Sequence, residues 1–250
     1  MSYPILYSLQ HCPYAMRARM GILLADQCVS LRAIVLKNKP IEMLKVSPKG
    51  TVPVLVIENE STINHDHKES GIKDYKVIEE SLDIMLWALT KNDPANLLLN
   101  HQPTILAVML SFISHFDGEF KSNLEKYKSA KRYHDDDKLS HRKACIKDIS
   151  QLEEKLGQHQ FLFGEQLSLV DYAILPYIRQ FSRIERQWYL SSPYPKLKLW
   201  LKSHLESPLY SKVMAKHPLW SETNEEVIFG SNEQMQKDQR YRMNLNVAFQ

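Results

Sequence analysis

The strongest constraint on the fold of this chain is a change in periodicity close to residue 92. Before it, short apolar runs alternate with helical patterns, and the order predicted for the first ninety residues is β-α-β-α-β-β-α. The tripeptide Asn92-Asp93-Pro94 ends the last of these helices, and from His101 onward only helical patterns remain. The sequence therefore predicts a mixed domain over residues 1–91 and an all-helical domain over residues 101–220.

The mixed domain opens with a βαβ unit. Residues 4–8 predict a strand, residues 13–25 a helix, and the β-branched residues of 29–35 a second strand parallel to the first. One or two helical turns, two strands and a helix follow at residues 41–45, 54–57, 76–78 and 79–90.

The helical half carries its own start and stop signals. Ser168-Leu169-Val170-Asp171 has the form of a capping box and predicts a buried helix over residues 168–181. After Trp220 the composition turns polar, so residues 221–250 are predicted to form a loosely packed tail. Four prolines divide the region between that helix and the tail into short helices: Pro193, Pro195, Pro208 and Pro218.

Composition excludes several classes of function. With 44% hydrophobic and 24% charged residues the chain is neither disordered nor fibrous, and a net charge of +3 argues against nucleic acid or an anionic membrane as partner. Residues 1–6 do not form a secretory signal, and the apolar run at 84–89 is too short to span a bilayer. Three widely spaced cysteines, Cys12, Cys28 and Cys145, fit a reducing compartment, so we expect a cytoplasmic protein.

Cys12 is the residue with the clearest chemical meaning. In Cys12-Pro13-Tyr14-Ala15 the first strand ends and the first helix begins, and proline at the first helical position places Cys12 at the N-cap. Free N–H groups and the helix dipole there favour a thiolate suited to reversible thiol exchange. Because residue 15 is alanine, an external thiol must resolve a mixed disulfide. The alternative is a small buried hydrophobe, which is the better interpretation of Cys28 and Cys145.

Two further motifs are compatible with an extended, anionic ligand. Val52-Pro53 begins a strand, and a cis bond there would let the Val52 N–H and C=O pair with a peptide, whereas a trans turn is the simpler alternative. Glu80-Ser81 starts the third helix, where a hydroxyl and free N–H groups can hold a carboxylate. The alternative is that acidic residues there only complement the helix dipole.

In this order and spacing, the Cys12, Val52-Pro53 and Glu80-Ser81 motifs resemble the glutathione transferase superfamily, with a glutaredoxin-like form of the first motif. Residues 36–40 are similar to a segment of the omega-type, cysteine-using members, and Lys39 matches their glutathione-contacting lysine. Stretches of the helical half are similar to bacterial members: residues 116–121, 127–128, 161–164, 173–181 and 195–220.

The resemblance implies a thioredoxin-like domain followed by an all-helical transferase domain, an enzyme with glutathione as co-substrate, and a homodimer. The glutathione-binding residues it implies are Pro13, Tyr14, Lys39, Thr51, Val52, Pro53, Glu80 and Ser81. The second substrate would be a small electrophile or disulfide. Candidate walls of its pocket, which helical spacing also allows to be core, are Phe116, Phe120, Tyr172, Arg179 and Trp188.

Three functions remain open at this point. In the first, Cys12 takes glutathione from a glutathionylated substrate and a second glutathione releases it, as in a thiol transferase or reductase. In the second, Tyr7 or Ser8, near the end of the first strand, assists conjugation of glutathione to an electrophile. In the third, the scaffold only binds partners. A binding module has no need of an acidic thiol at a helix N-terminus, so the thiol reaction ranks first.

The connection over residues 58–74 departs from the resemblance because it is much longer than a usual hairpin loop. It contains His65-Asp66-His67, but a lone His-x-His lacks the further ligands that a closed metal site needs. No metal is therefore predicted.

Overall fold

The computed structural model describes residues 2–58, 75–102 and 104–230. Its contacts divide the chain into two units, Met1–Asn92 with Ala215–Gln250 and Asp93–Met214. The elements of the first unit up to that division are β1 (Ile5–Ser8), α1 (Pro13–Leu24), β2 (Val29–Ala33), α2 (Ile41–Val46), β3 (Val54–Glu58), β4 (Tyr75–Ile78) and α3 (Ser81–Lys91).

The regular elements in the described residues of the second unit are all helices, joined by turns, and the first unit resumes after it. In chain order the helices are α4 (Ile105–His115), a π-helical segment (Phe116–Phe120), α5 (Lys121–Tyr133), α6 (Lys138–Gln158), α7 (Leu169–Ala173), α8 (Leu175–Ile184), α9 (Arg186–Ser191), α10 (Pro195–Leu205) and α11 (Pro208–Val213). The chain then returns to the first unit with α12 (Trp220–Thr223) and β5 (Val227–Phe229). Within the described ranges, no helix is long and apolar enough to cross a membrane.

The sheet of the first unit has the strand order β4-β3-β1-β2-β5. Strands β1 and β2 are parallel, and the remaining pairs are antiparallel. The predicted order β-α-β-α-β-β-α is confirmed, and with it the thioredoxin-like domain followed by a helical domain.

Helices α1 and α3 make the closest helix contact of this unit at Gly21. A Cβ on Gly21 would lie 2.7 Å from the Cα of Met85, so glycine is required for the two backbones to approach this closely. Met85 and its neighbour Ile84 are fully buried.

A separate apolar cluster lies where the site residues gather. Tyr7 of β1, Met43 of α2 and Val52 belong to it, together with Ile34, Val54 and Val56. Cys12 packs against this cluster while remaining partly exposed. The cluster therefore connects the candidate thiol to β1, to α2 and to the start of β3.

The prediction of a loosely packed tail is wrong for residues 227–229, which form β5. Strand β5 pairs with β2, with Phe229 opposite Val29, and Leu219 forms a further bridge to Ala33. Gly230 ends the strand at φ +98°, where a Cβ would lie 1.9 Å from the carbonyl oxygen of Gln27. The other residues of the predicted tail, 231–250, lie outside the described residues.

The capping box of the helical unit is confirmed, and its acidic residue, Asp171, also bonds residues outside the box. The fully buried Asp171 carboxylate accepts hydrogen bonds from the Ser168 N–H (3.0 Å) and hydroxyl (2.7 Å). It also accepts from the Leu162 N–H (3.1 Å) and the Trp200 indole (3.0 Å). The single helix predicted over residues 168–181 is instead α7 and α8, because Pro176 lies in the first turn of α8 and cannot continue the preceding helix.

Candidate active site

Cys12 occupies the N-cap of α1. Its carbonyl accepts the first helical hydrogen bond, from the Met16 N–H at 2.9 Å, and Pro13 follows as the first helical residue. The Cys12 N–H donates to the Leu9 carbonyl at 3.2 Å, and the thiol lies 3.7 Å from the carbonyl oxygen of Val52. The structure thus brings together the first two predicted motifs.

The Val52–Pro53 peptide bond is cis, the first of the two alternatives considered from the sequence. The turn before it is made by residues 47–50, where the Gly50 N–H donates to the Ser47 carbonyl at 3.0 Å. Gly50 has φ +63°, and the Lys39 Nζ lies 3.4 Å from the place its Cβ would take. Lys39 therefore reaches the turn that leads into Thr51 and Val52.

The start of α3 carries the third motif. Glu80 is the N-cap residue and forms a 2.6 Å ion pair with Lys49, whose pKa is raised by that hydrogen bond and charge. Ser81 is buried, and its hydroxyl accepts a hydrogen bond from the Arg17 guanidinium at 3.5 Å. Lys49 thereby joins the turn of residues 47–50 to the N-terminus of α3.

Tyr7 and Ser8, the residues that would assist conjugation, have hydroxyls engaged by arginines. The Tyr7 hydroxyl accepts a hydrogen bond from Arg32 at 2.9 Å. Burial raises the pKa of Tyr7 and outweighs the opposing effect of Arg32. The Ser8 hydroxyl accepts a hydrogen bond from Arg19.

Arg19 is a site residue that the sequence reasoning missed. Besides Ser8 it donates to the carbonyls of Leu9 at 3.2 Å and Gln10 at 2.6 Å, so one buried guanidinium holds the three residues that lead towards Cys12. The available signal was the pair Arg17 and Arg19 within a helix that is otherwise largely apolar, since a buried arginine needs partners.

Comparison with known proteins assigns the family. The model of the glutathione S-transferase N-terminal domain matches residues 6–96, and that of the glutathione S-transferase C-terminal domain matches residues 77–203. The chain belongs to the glutathione S-transferase family. It is therefore an enzyme of the glutathione transferase type.

Individual relatives agree with this assignment. Glutathione S-transferase omega-1 of Rattus norvegicus is 29% identical over 208 residues, which cover 82% of this chain and 78% of the relative. Glutathione transferase Omega 3C from Trametes versicolor is similar in structure, with a TM-score of 0.67 at 17% identity over 88% of this chain and 92% of that chain. A glutathione transferase family member from Pseudomonas fluorescens with two glutathione bound is also similar in structure, with a TM-score of 0.68 at 14% identity. The match covers 85% of this chain and 92% of that chain. The two structural likenesses show the shared fold.

Two of the five candidate pocket residues of this transferase lie inside the core of the helical unit. Phe116 and Phe120 are 1% and 0% exposed, and their ring centroids are 4.8 Å apart. The Phe120 ring also lies 6.4 Å from that of Phe181. These side chains correspond to the core alternative that helical spacing left open.

The other three candidates each have a further neighbour of their own. The Tyr172 ring meets His204 edge to face at 5.5 Å, and burial raises the pKa of Tyr172 to about 12. Arg179 is half-buried, with its Cζ 5.9 Å from the centre of the Tyr210 ring. Trp188 is also half-buried and is covered by an arginine of α6. The Trp188 ring also lies 6.0 Å from that of Phe181 and so joins the aromatic group of Phe116 and Phe120, whereas Tyr172 and Arg179 lie in other contacts.

The arginine over Trp188 belongs to a partly buried ion-pair cluster. The Cζ of Arg142 lies 4.3 Å from the Trp188 ring centre, and Arg142 donates to Glu185 at 3.0 Å. Glu185 also accepts from Lys138 at 2.8 Å and from Tyr127 at 2.7 Å. Burial opposes ionisation of Glu185, but these hydrogen bonds and the two positive charges outweigh it and hold its pKa below the ordinary value.

No group of three potential metal ligands is present among residues 2–58, 75–102 and 104–230. His65-Asp66-His67, considered and rejected as a metal site from the sequence, lies outside the described residues.

Proposed function

We propose that this transferase is a glutathione-dependent thiol transferase of the cysteine type, with Cys12 as its catalytic thiol. The observation that carries the proposal is the place of the Cys12 sulfur, at the N-cap of α1 and 3.7 Å from the Val52 carbonyl. The N-terminus of a helix, with its free N–H groups and dipole, is a place where negative charge is favoured in general. The carbonyl belongs to the strand edge on which the backbone of glutathione would pair.

The reaction requires two exchanges. The Cys12 thiolate attacks the glutathione sulfur of a glutathionylated disulfide, which forms a Cys12–glutathione disulfide and releases the other thiol as a thiolate. A second glutathione thiolate then attacks the glutathione sulfur of that mixed disulfide, which frees the Cys12 thiolate and gives oxidised glutathione. Each step breaks one S–S bond and forms one, so the only co-reactant consumed is reduced glutathione.

The two carboxylates and the extended backbone of glutathione each have a proposed partner on the first unit. The proposed partners of its carboxylates are the ammonium of Lys39 and the N-terminus of α3 at Ser81, where free N–H groups favour an anion. The proposed partner of its extended backbone is Val52. Lys49, which pairs with Glu80, adds a cation that the sequence analysis did not assign.

The burial of the two hydroxyl candidates favours Cys12 over conjugation assisted by Tyr7 or Ser8. The Tyr7 and Ser8 residues are each only 2% exposed, whereas Cys12 is partly exposed and its thiol faces the proposed strand edge. The proposal also includes a disulfide as second substrate, a homodimer and a reducing cytoplasm. The free state of Cys12, Cys28 and Cys145 supports a reducing compartment.

The experiment is detection of a glutathione adduct after incubation with oxidised glutathione at neutral pH, by intact mass and peptide mapping. We expect one adduct, on Cys12, reversed by reduced glutathione and lost in Cys12→Ser. The matched control is Cys28→Ser, since Cys28 is also partly exposed but burial and nearby Asp26 raise its pKa. An adduct on Cys28 alone, or none while reduced glutathione still binds, would contradict the proposal, and the second result would favour conjugation through Tyr7 or Ser8.

A further inference from the structure

The C-terminal segment, residues 215–230, contacts both α2 and β2 of the first unit through the side chain of Trp220. Its indole N–H donates to the Glu42 carboxylate at 2.5 Å. The face of the same indole lies 3.9 Å from the Cζ of Arg32, a cation–π contact. Arg32 in turn approaches Glu42 at 3.7 Å and donates to the Tyr7 hydroxyl. Trp220 therefore holds one residue of α2 and one of β2.

Helix α2 needs such a contact because it has little stability of its own. It is six residues long, and isolated helices shorter than about 12–15 residues are marginal in water. All six residues are described, and among them Met43 alone is buried. Val46 is partly buried and packs against the same cluster as Met43, whereas Ile41 is 70% exposed, so the apolar packing of α2 rests mainly on two side chains.

The position of α2 matters for the site because of what lies at its two ends. Lys39 and Pro40 precede it directly, and Pro40 is its N-cap residue. The residues after it, 47–50, form the turn into Val52 that the Lys39 ammonium approaches. Met43 packs in the same cluster as Val52 and Tyr7, against which Cys12 lies. A displaced α2 would move Lys39 and the turn relative to Cys12.

The Glu42 carboxylate is ionised at neutral pH. Burial raises its pKa, but the hydrogen bonds from its own backbone N–H and from Trp220, with the charges of Arg32 and Lys45, outweigh burial and leave that pKa lowered. The indole thus donates to a charged acceptor, which makes the hydrogen bond stronger than one between neutral groups.

We infer that Trp220 is a positioning residue of the glutathione site, which keeps α2 and with it Lys39 in place through Glu42 and Arg32. The inference rests on the proposed function for the identity of the ligand. It gives the C-terminal segment a part in binding, a role that the family resemblance, which extends to Trp220, did not assign to it.

The test combines hydrogen exchange of the α2 amides in the ligand-free full chain with the Kd of reduced glutathione measured by calorimetry. In Trp220→Ala we expect α2 to exchange about 5- to 30-fold faster, the factor that corresponds to a loss of one or two kcal/mol. Because only molecules with α2 in place bind, the Kd should rise by the factor by which that population falls, about 2- to 5-fold where the variant keeps α2 in place in about a half to a fifth of the molecules. Trp220→Phe keeps a ring over Arg32 but loses the N–H, so its effects should be smaller.

The matched control is Trp87→Ala. Trp87 is half-buried on α3 and carries its own cation–π contact, with the Lys91 Nζ 4.5 Å from its ring centre. We expect this variant to leave α2 exchange and the Kd unchanged.

Unchanged α2 exchange in Trp220→Ala would overturn the inference, and so would exchange that rises equally in α2 and α3, since that indicates general destabilisation. Faster α2 exchange with an unaltered Kd would refute the link to glutathione. If the wild-type chain binds no glutathione, the proposed function fails, and α2 exchange still decides whether Trp220 holds α2.

Discussion

Replacing Asp171 by asparagine tests the energetics of the helical unit most directly. One carboxylate oxygen accepts from the Leu162 N–H and the Trp200 indole, and the other accepts from the N–H and the hydroxyl of Ser168. In Asp171→Asn one oxygen remains and can keep its two bonds. The amide NH2 that replaces the other oxygen faces two donors.

The expected loss of stability follows from the number of hydrogen bonds that the substitution removes. Two hydrogen bonds to a charged acceptor are lost, and the buried Ser168 N–H is left without a partner. A hydrogen bond to a charged group contributes about 1.5–3 kcal/mol, and an unsatisfied buried donor costs about 1–3 kcal/mol. Because the Ser168 hydroxyl can turn and accept from the new amide, part of this loss is recovered. We expect the free energy of unfolding to fall by about 2–4 kcal/mol.

Urea denaturation, followed by tryptophan fluorescence and by circular dichroism, measures this change in the free energy of unfolding. The comparison holds when the two probes give the same transition and the substitution leaves the m-value unaltered. Ser207→Ala is the control because Ser207 caps α11 with a single bond, from the Tyr210 N–H at 3.1 Å, and should cost about 1 kcal/mol. An Asp171→Asn loss no larger than that of Ser207→Ala would refute the reasoning.

Two further predictions concern stability. Glu185→Gln should cost about 1–3 kcal/mol near neutral pH. The pKa of Glu185 is lower in the folded protein than in the unfolded chain, where it is 4.5. The ionised carboxylate therefore contributes fully to the free energy of unfolding above pH 4.5, and this contribution is lost as the pH falls through the folded-state pKa. Denaturation from about pH 7 to about pH 3 should therefore show wild type and variant converging in acid; a constant difference would contradict this. Gly21→Ala should cost about 1–3 kcal/mol by forcing α1 away from Met85, whereas Gly157→Ala in α6, where a Cβ meets nothing within 4 Å, should cost nothing; equal melting temperatures would refute the packing argument.

The sequence predicted the elements whose signals are local. The alternation of the first ninety residues, the N-cap position of Cys12 and the Ser168–Asp171 capping box all depend on residues within a few positions of one another, and all three are confirmed. Residues 168–181 were predicted to form a single helix because their apolar residues continue through Pro176. The prediction was wrong because proline cannot continue a helix, so α8 begins as a new helix there.

Strand β5 was missed because its signal is not local. Val227–Phe229 contains only three residues within a polar stretch, and its stability comes from pairing with β2 at the far end of the chain. The contacts of Arg19 and Trp220 were missed for the same reason, since each depends on an element brought near by the fold. Conversely, Phe116 and Phe120 show that periodicity alone cannot separate a pocket wall from a core side chain.

The pairing of β5 with β2 has a consequence for the order in which this protein is made. Phe229 lies opposite Val29, about 200 residues earlier, so the sheet of the first unit cannot be completed until those intervening residues have been synthesised. At a translation rate of about 5–20 residues per second, the delay is about 10–40 s. During that time the edge of β2 is unpaired on the nascent chain, and an unpaired edge is a template for association with other chains. The last residues of the described chain thus protect one of the first strands to be formed.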